Sequence, residues 1–331
     1  MITRSEDWKN ALADAVRDPA ELIELLDLPR ELVEAARRAA IAFPLRVPRG
    51  FIARMEPGNP ADPLLRQILP LDAENTPLAG YTTDPVGDRS AAVVPGLLHK
   101  YHGRVLLAIT GACAVNCRYC FRRHFPYSAE NPARGDWQEA LSYLRKHEEV
   151  NEVILSGGDP LVYDDEHLAG LAQRLADIPH LKTLRIHSRL PIVLPERVND
   201  ALLAWLTGNR LQPVVVVHAN HPAELNYEAN AALERLKSAG IPLLNQTVLL
   251  KGVNDHPDSL AELSGELFAA GVMPYYLHLL DRVQGAAHFE VPEAHAIELI
   301  AILRARLSGY LVPRLVREIA GAPGKIPITE V

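Results

Sequence analysis

Cysteine is scarce in this 331-residue chain: there are three, against 26 prolines and 20 glycines. All three fall within residues 113–120, which argues against a disulfide scaffold tying distant parts of the chain together. Long apolar runs are missing as well. None approaches the roughly 20 residues of a membrane-spanning helix, and residues 1–10 lack the apolar core of a secretory signal. The expectation is a cytoplasmic protein with no membrane partner. Basic charge is not in excess: Lys and Arg total 34 against 41 Asp and Glu, a formal net charge of -7. That balance offers no footprint for nucleic acid. Internal repeats and low-complexity tracts are absent.

What is present is the composition of a globular protein, 48% hydrophobic and 23% charged. The length allows one large domain or two modest ones. One basic cluster stands out, Arg118, Arg122, Arg123 and His124, beside the cysteines. Its position points to a site for small anions.

Apolar spacing predicts one helix over residues 8–28 and a second over 31–42. Residues 44–96, rich in Pro, Gly and Asp, read as an extended wrapping segment. Strands and helices then alternate. Strands are expected at 104–110, 152–156, 183–187, 214–218, 243–250 and 274–279. Helices are expected near 136–147, 165–177, 196–206 and 223–238, and after each of the last two strands. This order implies βαβ units and a parallel sheet. The fold class is α/β, an open partial (β/α)6 barrel with a helical N-terminal segment. The divisions are 1–100 for the helical and wrapping segment, 101–309 for the barrel and 310–331 for an extended C-terminal segment. Chemistry in such folds gathers at the carboxyl ends of the strands. There the chain places the cysteines, then Ser156, Gly157, Gly158 and Asp159, then His187, Ser188 and Arg189, then His218 and Asn220, and finally Asp281.

Cys113, Cys117 and Cys120 have the spacing C-x3-C-x2-C. Three thiolates can hold three irons of a 4Fe-4S cubane and leave the fourth iron open. An open iron can chelate the amino and carboxylate groups of S-adenosylmethionine, whose reductive cleavage yields a radical. The plainer alternatives are three small buried side chains, or zinc with His124 or His102 as fourth ligand. Tyr119 within the motif, and the Gly157–Gly158 pair one strand later, favour the cluster.

Longer runs carry a family resemblance. Cys-Arg-Tyr-Cys-Phe-Arg-Arg-His-Phe (117–125), Ser-Gly-Gly-Asp-Pro (156–160), Arg-Ile-His-Ser-Arg-Leu-Pro (185–191) and Pro-Tyr-Tyr-Leu-His (274–278) resemble the lysine 2,3-aminomutase family. Residues 45–51, 93–102 and 283–289 are similar to the branch that supplies β-lysine for elongation factor P. The resemblance implies a barrel of the radical S-adenosylmethionine type with three cofactors: a 4Fe-4S cluster, S-adenosylmethionine and pyridoxal phosphate. It implies that Lys325, in Gly-Ala-Pro-Gly-Lys-Ile-Pro (321–327), carries the pyridoxal phosphate. Lys100, Tyr101 and Arg104 match positions near its phosphate, and Gln246 matches one beside its ring. The 156–159 turn would meet the methionine end of S-adenosylmethionine, and His218 and Asn220 its adenosine. Arg122 would pair with the substrate carboxylate, for which a planar guanidinium is suited. Asp281 and Glu318 would bind the side-chain ammonium.

The expected reaction is conversion of L-lysine to (R)-β-lysine, with an external electron donor and a functional link to elongation factor P and its lysyl-ligating enzyme. The chain departs from the free-lysine enzymes in carrying Glu318 where they have Asp. It also departs in the shorter glycine run before Lys325 and in lacking their C-terminal zinc-binding cysteines, which puts a zinc-supported oligomer in question. Other readings are an aminomutase for glutamate or another amino acid, a radical enzyme without pyridoxal phosphate, and a non-catalytic zinc protein.

Overall fold

The structure is a computed structural model that describes residues 7–128 and 136–329. Its frame is one ten-stranded sheet whose spatial order follows chain order. The strands are β1 (Ala92–Val94), β2 (Leu97–Tyr101), β3 (Arg104–Thr110), β4 (Glu152–Gly157), β5 (Thr183–Ser188), β6 (Gln212–Val217), β7 (Leu243–Val248), β8 (Val272–His278), β9 (Arg314–Arg317) and β10 (Ile326–Pro327). Pairing is parallel from β3 through β9 and antiparallel for β1–β2, β2–β3 and β9–β10. The expected six-unit partial barrel is therefore present, and the C-terminal segment adds a further parallel strand to it.

Side-chain alternation along the strands separates core from cavity. On β5, Leu184 and Ile186 are buried in the main apolar core, while Arg185 and His187 line an interior cavity. On β7, Gln246 and Val248 take the cavity side and Leu243, Asn245 and Thr247 are buried. This is the period of two expected of a pleated strand. The outer helices start where a short polar side chain can accept a free N–H. Asp164 caps Asp165–Ala176, Asn199 caps Asp200–Thr207 and Asn226 caps Tyr227–Ser238.

The N-terminal region departs from its sequence reading in two ways. The helix expected over 8–28 is two helices, Asp7–Ala13 and Pro19–Leu25. Pro19 lacks an N–H and sits at the first turn, and Asp18 accepts from Ala20 N, so the chain restarts there. Between them Val16 pairs with Val47. Secondly, the wrapping segment forms short helices at Arg49–Ile52 and Pro63–Arg66 and the β1–β2 hairpin. Leu45, Val47, Phe51, Leu64 and Ile68 join the same core as the barrel helices. The segment clads the barrel because its scattered apolar residues all find that core. Pro95 and Gly96, with Gly96 at φ +71, form the two-residue turn of the hairpin between Val94 and Leu97.

One contact sets the height of the cysteine loop. Gly158 N donates to Thr110 O at 2.6 Å, and Asp159 N to Ala112 O at 2.8 Å. A Cβ on Gly157 (φ +118) would lie 2.6 Å from Thr110 O, and one on Gly158 2.3 Å from Ala112 O. The glycine pair lets the end of β4 press against the backbone that leads into Cys113. Gly158→Ala is expected to push that backbone away, destabilising the fold by about 1–3 kcal/mol. Thermal melting, together with the iron retained after reconstitution, checks this.

Candidate active site

The carboxyl ends of β3–β8 surround a cavity of about 650 Å³. The cysteines and all the residues that the family resemblance assigns to cofactors and substrate line it. Cys113, Cys117, Cys120 and Arg122 come from the loop after β3, and Ser156, Gly157, Gly158 and Asp159 from the end of β4. His218, Asn220 and Gln246 enter from the ends of β6 and β7, and Asp281 from the end of β8. Lys100, Tyr101 and Arg104 enter from the β2–β3 edge, and Glu318 and Lys325 from the C-terminal segment.

The cysteine loop rests on a buried polar network. Arg189 Nη1 donates to Cys117 Sγ at 2.7 Å, and its Nη2 donates to Gln67 Oε1 at 2.6 Å and Glu224 Oε2 at 2.8 Å. Asn220 Nδ2 donates to Gln67 Oε1 and to the Tyr119 hydroxyl, and Asn220 Oδ1 accepts from Val248 N. Asn220 is thus committed to protein partners. So is Asp159, which accepts from Ser188 Oγ, Arg189 N and Leu161 N; burial still pushes its carboxyl up to about 6. Both residues border the cavity chiefly as supports.

The basic cluster beside the cysteines is not an open anion site. Arg118 is fully buried with Nε and Nη2 on the two oxygens of Glu74, at 2.8 and 2.7 Å. Arg123 Nη2 shares Glu74 Oε2 at 2.7 Å. His124 Nε2 lies 3.1 Å from Gln284 O. Glu74, distant in sequence, neutralises what reads locally as excess positive charge.

Of the four residues, Arg122 and Arg123 line the cavity, and Arg122 belongs to a chain of alternating charges there. Its Nε donates to Asp88 Oδ2 at 2.6 Å and its Nη1 to Ser156 Oγ at 3.1 Å, so Nη2 keeps no protein partner among the described residues. Lys100 Nζ lies 2.6 Å from Asp88 Oδ1, an ion pair off the angle of a hydrogen bond. The same Nζ donates to Glu318 Oε1 at 3.0 Å, and Lys325 Nζ donates to Glu318 Oε2 at 2.7 Å. Burial works to raise the Glu318 carboxyl, but Lys325 and Lys100 outweigh it and hold it far below the usual carboxylate range. Asp281 has no such pair. Burial, and then the negative Glu318, push its carboxyl up to about 7.

Three ring nitrogens in this cavity await a partner: Nε2 of His187, of His218 and of His278 are buried without a hydrogen bond. Burial disfavours their charged forms, taking His218 down to about 4 and the other two well below the ordinary value. Buried polar atoms left in this state mark where a ligand belongs. Sequence reasoning missed His278 as a site residue, although it ends the Pro-Tyr-Tyr-Leu-His run. It missed Asp88, Gln67 and Glu224 altogether, for which no local signal exists.

The residues fit the implied groups. Three thiols from one loop face one cavity, and burial raises the Cys113 thiol well above its ordinary value and Cys120 to about 11, so thiolates there are favoured by a bound cation. His102 and His124, the candidate fourth zinc ligands, do not line the cavity. Among the described residues no three His, Cys, Asp or Glu are grouped to hold a single metal ion. At the other end, the Lys325 amine lies 5.8 Å from the Tyr276 ring centroid, and the Arg104 guanidinium stacks on Tyr101 at 4.5 Å. An aromatic wall, an amine and an arginine suit pyridoxal phosphate.

A model of the Radical SAM superfamily matches residues 107–263. The L-lysine 2,3-aminomutase of Escherichia coli K12 is 52% identical over 98% of this chain and 94% of its own. The chain belongs to the lysine 2,3-aminomutase family. Enzymes of the same name from Haemophilus influenzae and Buchnera aphidicola are 48% and 42% identical over 98% of this chain, and over 96% and 95% of their own lengths. Membership of a lysine 2,3-aminomutase family accounts for a cavity with thiols at one end and a lysine amine at the other, which a non-catalytic zinc protein would not need.

The raised Asp281 carboxyl has a measurable consequence. It keeps its proton in the fold up to about pH 7, whereas the unfolded chain releases it near about pH 4. Between those values the Asp281 contribution to stability falls as pH rises. Asp281→Asn is expected to melt with the parent below about pH 4 and a few degrees above it at pH 8. Melting curves of the cofactor-free protein across that range check this.

Proposed function

We propose that the protein converts L-lysine to β-lysine by moving the amino group from Cα to Cβ. The observation that carries this reading is the convergence of the three-thiol loop and the Lys325 amine on one cavity with charges for both ends of lysine. When bound, the 4Fe-4S cluster with S-adenosylmethionine supplies a carbon radical able to take hydrogen from an unactivated C–H, and pyridoxal phosphate supplies a conjugated ring to carry the migrating nitrogen.

The chain's own residues do the rest. Cys113, Cys117 and Cys120 hold the cluster, and Arg189 steadies Cys117 through its Sγ contact. Lys325 carries pyridoxal phosphate, with Arg104 and Tyr101 for its phosphate and Gln246 in the wall beside it. His218, His187 and His278 offer neutral ring nitrogens to bound ligands. Arg122 presents Nη2 to the substrate carboxylate. Glu318 and Asp281 receive the side-chain ammonium, and a cation arriving there favours the ionised form of Asp281. The same two carboxylates disfavour glutamate, whose side chain would bring a further negative charge. Clamping lysine at both ends holds Cβ where the hydrogen is taken, which lowers the barrier by fixing the reacting geometry in advance. Apolar wall residues such as Phe121, Ile154 and Leu280 limit water.

The product is proposed to be (R)-β-lysine for the modification of elongation factor P by its lysyl-ligating enzyme, with electrons from an external reductant. The branch-specific runs at 45–51, 93–102 and 283–289 support this. Among the described residues no helix is long and apolar enough to cross a membrane.

Reduced, reconstituted protein given L-lysine, S-adenosylmethionine and pyridoxal phosphate is expected to form β-lysine, read by chiral chromatography. No β-lysine from protein with a full complement of iron sinks the reading. Lys325→Ala should lose the visible absorbance of bound pyridoxal phosphate and its trapping by borohydride while keeping iron. Cys117→Ala should lose iron and keep that absorbance.

A further inference from the structure

The residues assigned to substrate and cofactor sit on separate stretches: the cysteine loop, the end of β2, the loop after β8 and the C-terminal segment. One strap, residues 82–91, touches all of them. Thr82 N donates to Arg282 O at 3.0 Å and Thr82 O accepts from Gln284 N at 2.9 Å, beside Asp281. Val86 O accepts from Lys100 Nζ at 2.8 Å. Gly87, at φ +68, packs so close to the C-terminal segment that a Cβ would lie 2.9 Å from Ala320 Cβ. Asp88 reaches the cysteine loop through Arg122. The strap is stiffened from within by Asp84, whose two oxygens accept from Asp88 N at 2.8 Å and Arg89 N at 3.1 Å.

Asp88 is only 2% exposed and lies between two cations that line the cavity, Lys100 and Arg122. We propose that Asp88 is a positioning residue for both ends of the substrate, orienting Arg122 for the carboxylate and, through Lys100, holding Glu318 for the side-chain ammonium. The proposal rests on the lysine reading above. A guanidinium held at Nε has its plane fixed, so the remaining Nη2 edge meets a carboxylate in one direction. On the other arm, Lys100 occupies Oε1 of Glu318 and leaves Oε2 facing Lys325. Once Lys325 carries the cofactor, Lys100 is the cation that keeps Glu318 ionised in a site with little water.

The test uses reconstituted holoenzyme, with iron content and melting temperature measured first. Asp88→Asn is nearly isosteric and removes both ion pairs. It is expected to raise KM for L-lysine roughly 30-fold or more, with a smaller fall in kcat and iron near the parent level. Asp88→Glu should recover part of the loss. Two competitive inhibitors separate the arms: 1,5-diaminopentane lacks the carboxylate and L-2-aminohexanoate lacks the side-chain ammonium. The parent's preference for L-lysine should shrink against both in Asp88→Asn, and against L-2-aminohexanoate alone in Lys100→Gln. Unchanged preferences, or a fall in kcat that tracks lost iron at constant KM, overturn the proposal in favour of a purely structural Asp88. If Asp88→Asn does not fold, Lys100→Gln decides alone, since it keeps the Asp88–Arg122 pair; an undiminished preference over L-2-aminohexanoate overturns the proposal. A parent enzyme that does not turn over L-lysine overturns the substrate reading itself, and this inference with it.

Discussion

The structure depends on the alternation of charge across the cavity, Arg122 to Asp88 to Lys100 to Glu318 to Lys325. A site that excludes water cannot leave a charge unpaired, because desolvating an ion costs several kcal/mol and only a close counter-charge offsets it. Each cation in the chain therefore has an acid within 3.0 Å. Asp281 has no such ion pair among the described residues, and burial beside the negative Glu318 raises its carboxyl. The same rule explains why Arg118 and Arg123, equally basic on paper, close on Glu74 and stay out of this series of pairs.

The barrel supplies the frame for this chain, and the surrounding segments supply its partners. Parallel strands bring loops from across residues 104–278 to one rim, and the close backbone contact at Gly157 and Gly158 sets the cysteine loop against that rim. Gln67 and Glu74 belong to the N-terminal cladding, yet they anchor the network beneath Cys117 and the arginines of the cysteine loop. The cladding is thus part of the site's support, joined to the barrel by both apolar burial and buried ion pairs. The final residues close the other side. β9 pairs with β8 and β10 with β9, which carries Glu318 and Lys325 back over the cavity.

What could be read from the chain alone was local. The cysteine spacing is a property of a few consecutive residues, and so are the four valines of β6. The strand order followed from alternation of short apolar runs with helical ones. Lys325, Glu318 and Asp281 could be singled out only through family resemblance, since an isolated lysine in a Gly/Pro stretch carries no signal of its own. The long helix over 8–28 was misread because apolar spacing continues across Pro19, while the missing proline N–H and the Asp18 cap divide it.

By itself, then, the sequence determined the chemistry on offer: three thiols able to hold a cluster and a parallel barrel to present them. Those follow from spacing and periodicity, which are short-range, and from motifs that survive as contiguous runs. Only the tertiary structure decided which charges are available. Arg118 and Arg122 are four residues apart in one motif, yet one is sealed on Glu74 and the other faces the cavity on Asp88. That division is made by carboxylates 44 and 34 residues away. Electrostatic pairing depends on distance in space, and a linear chain does not display it.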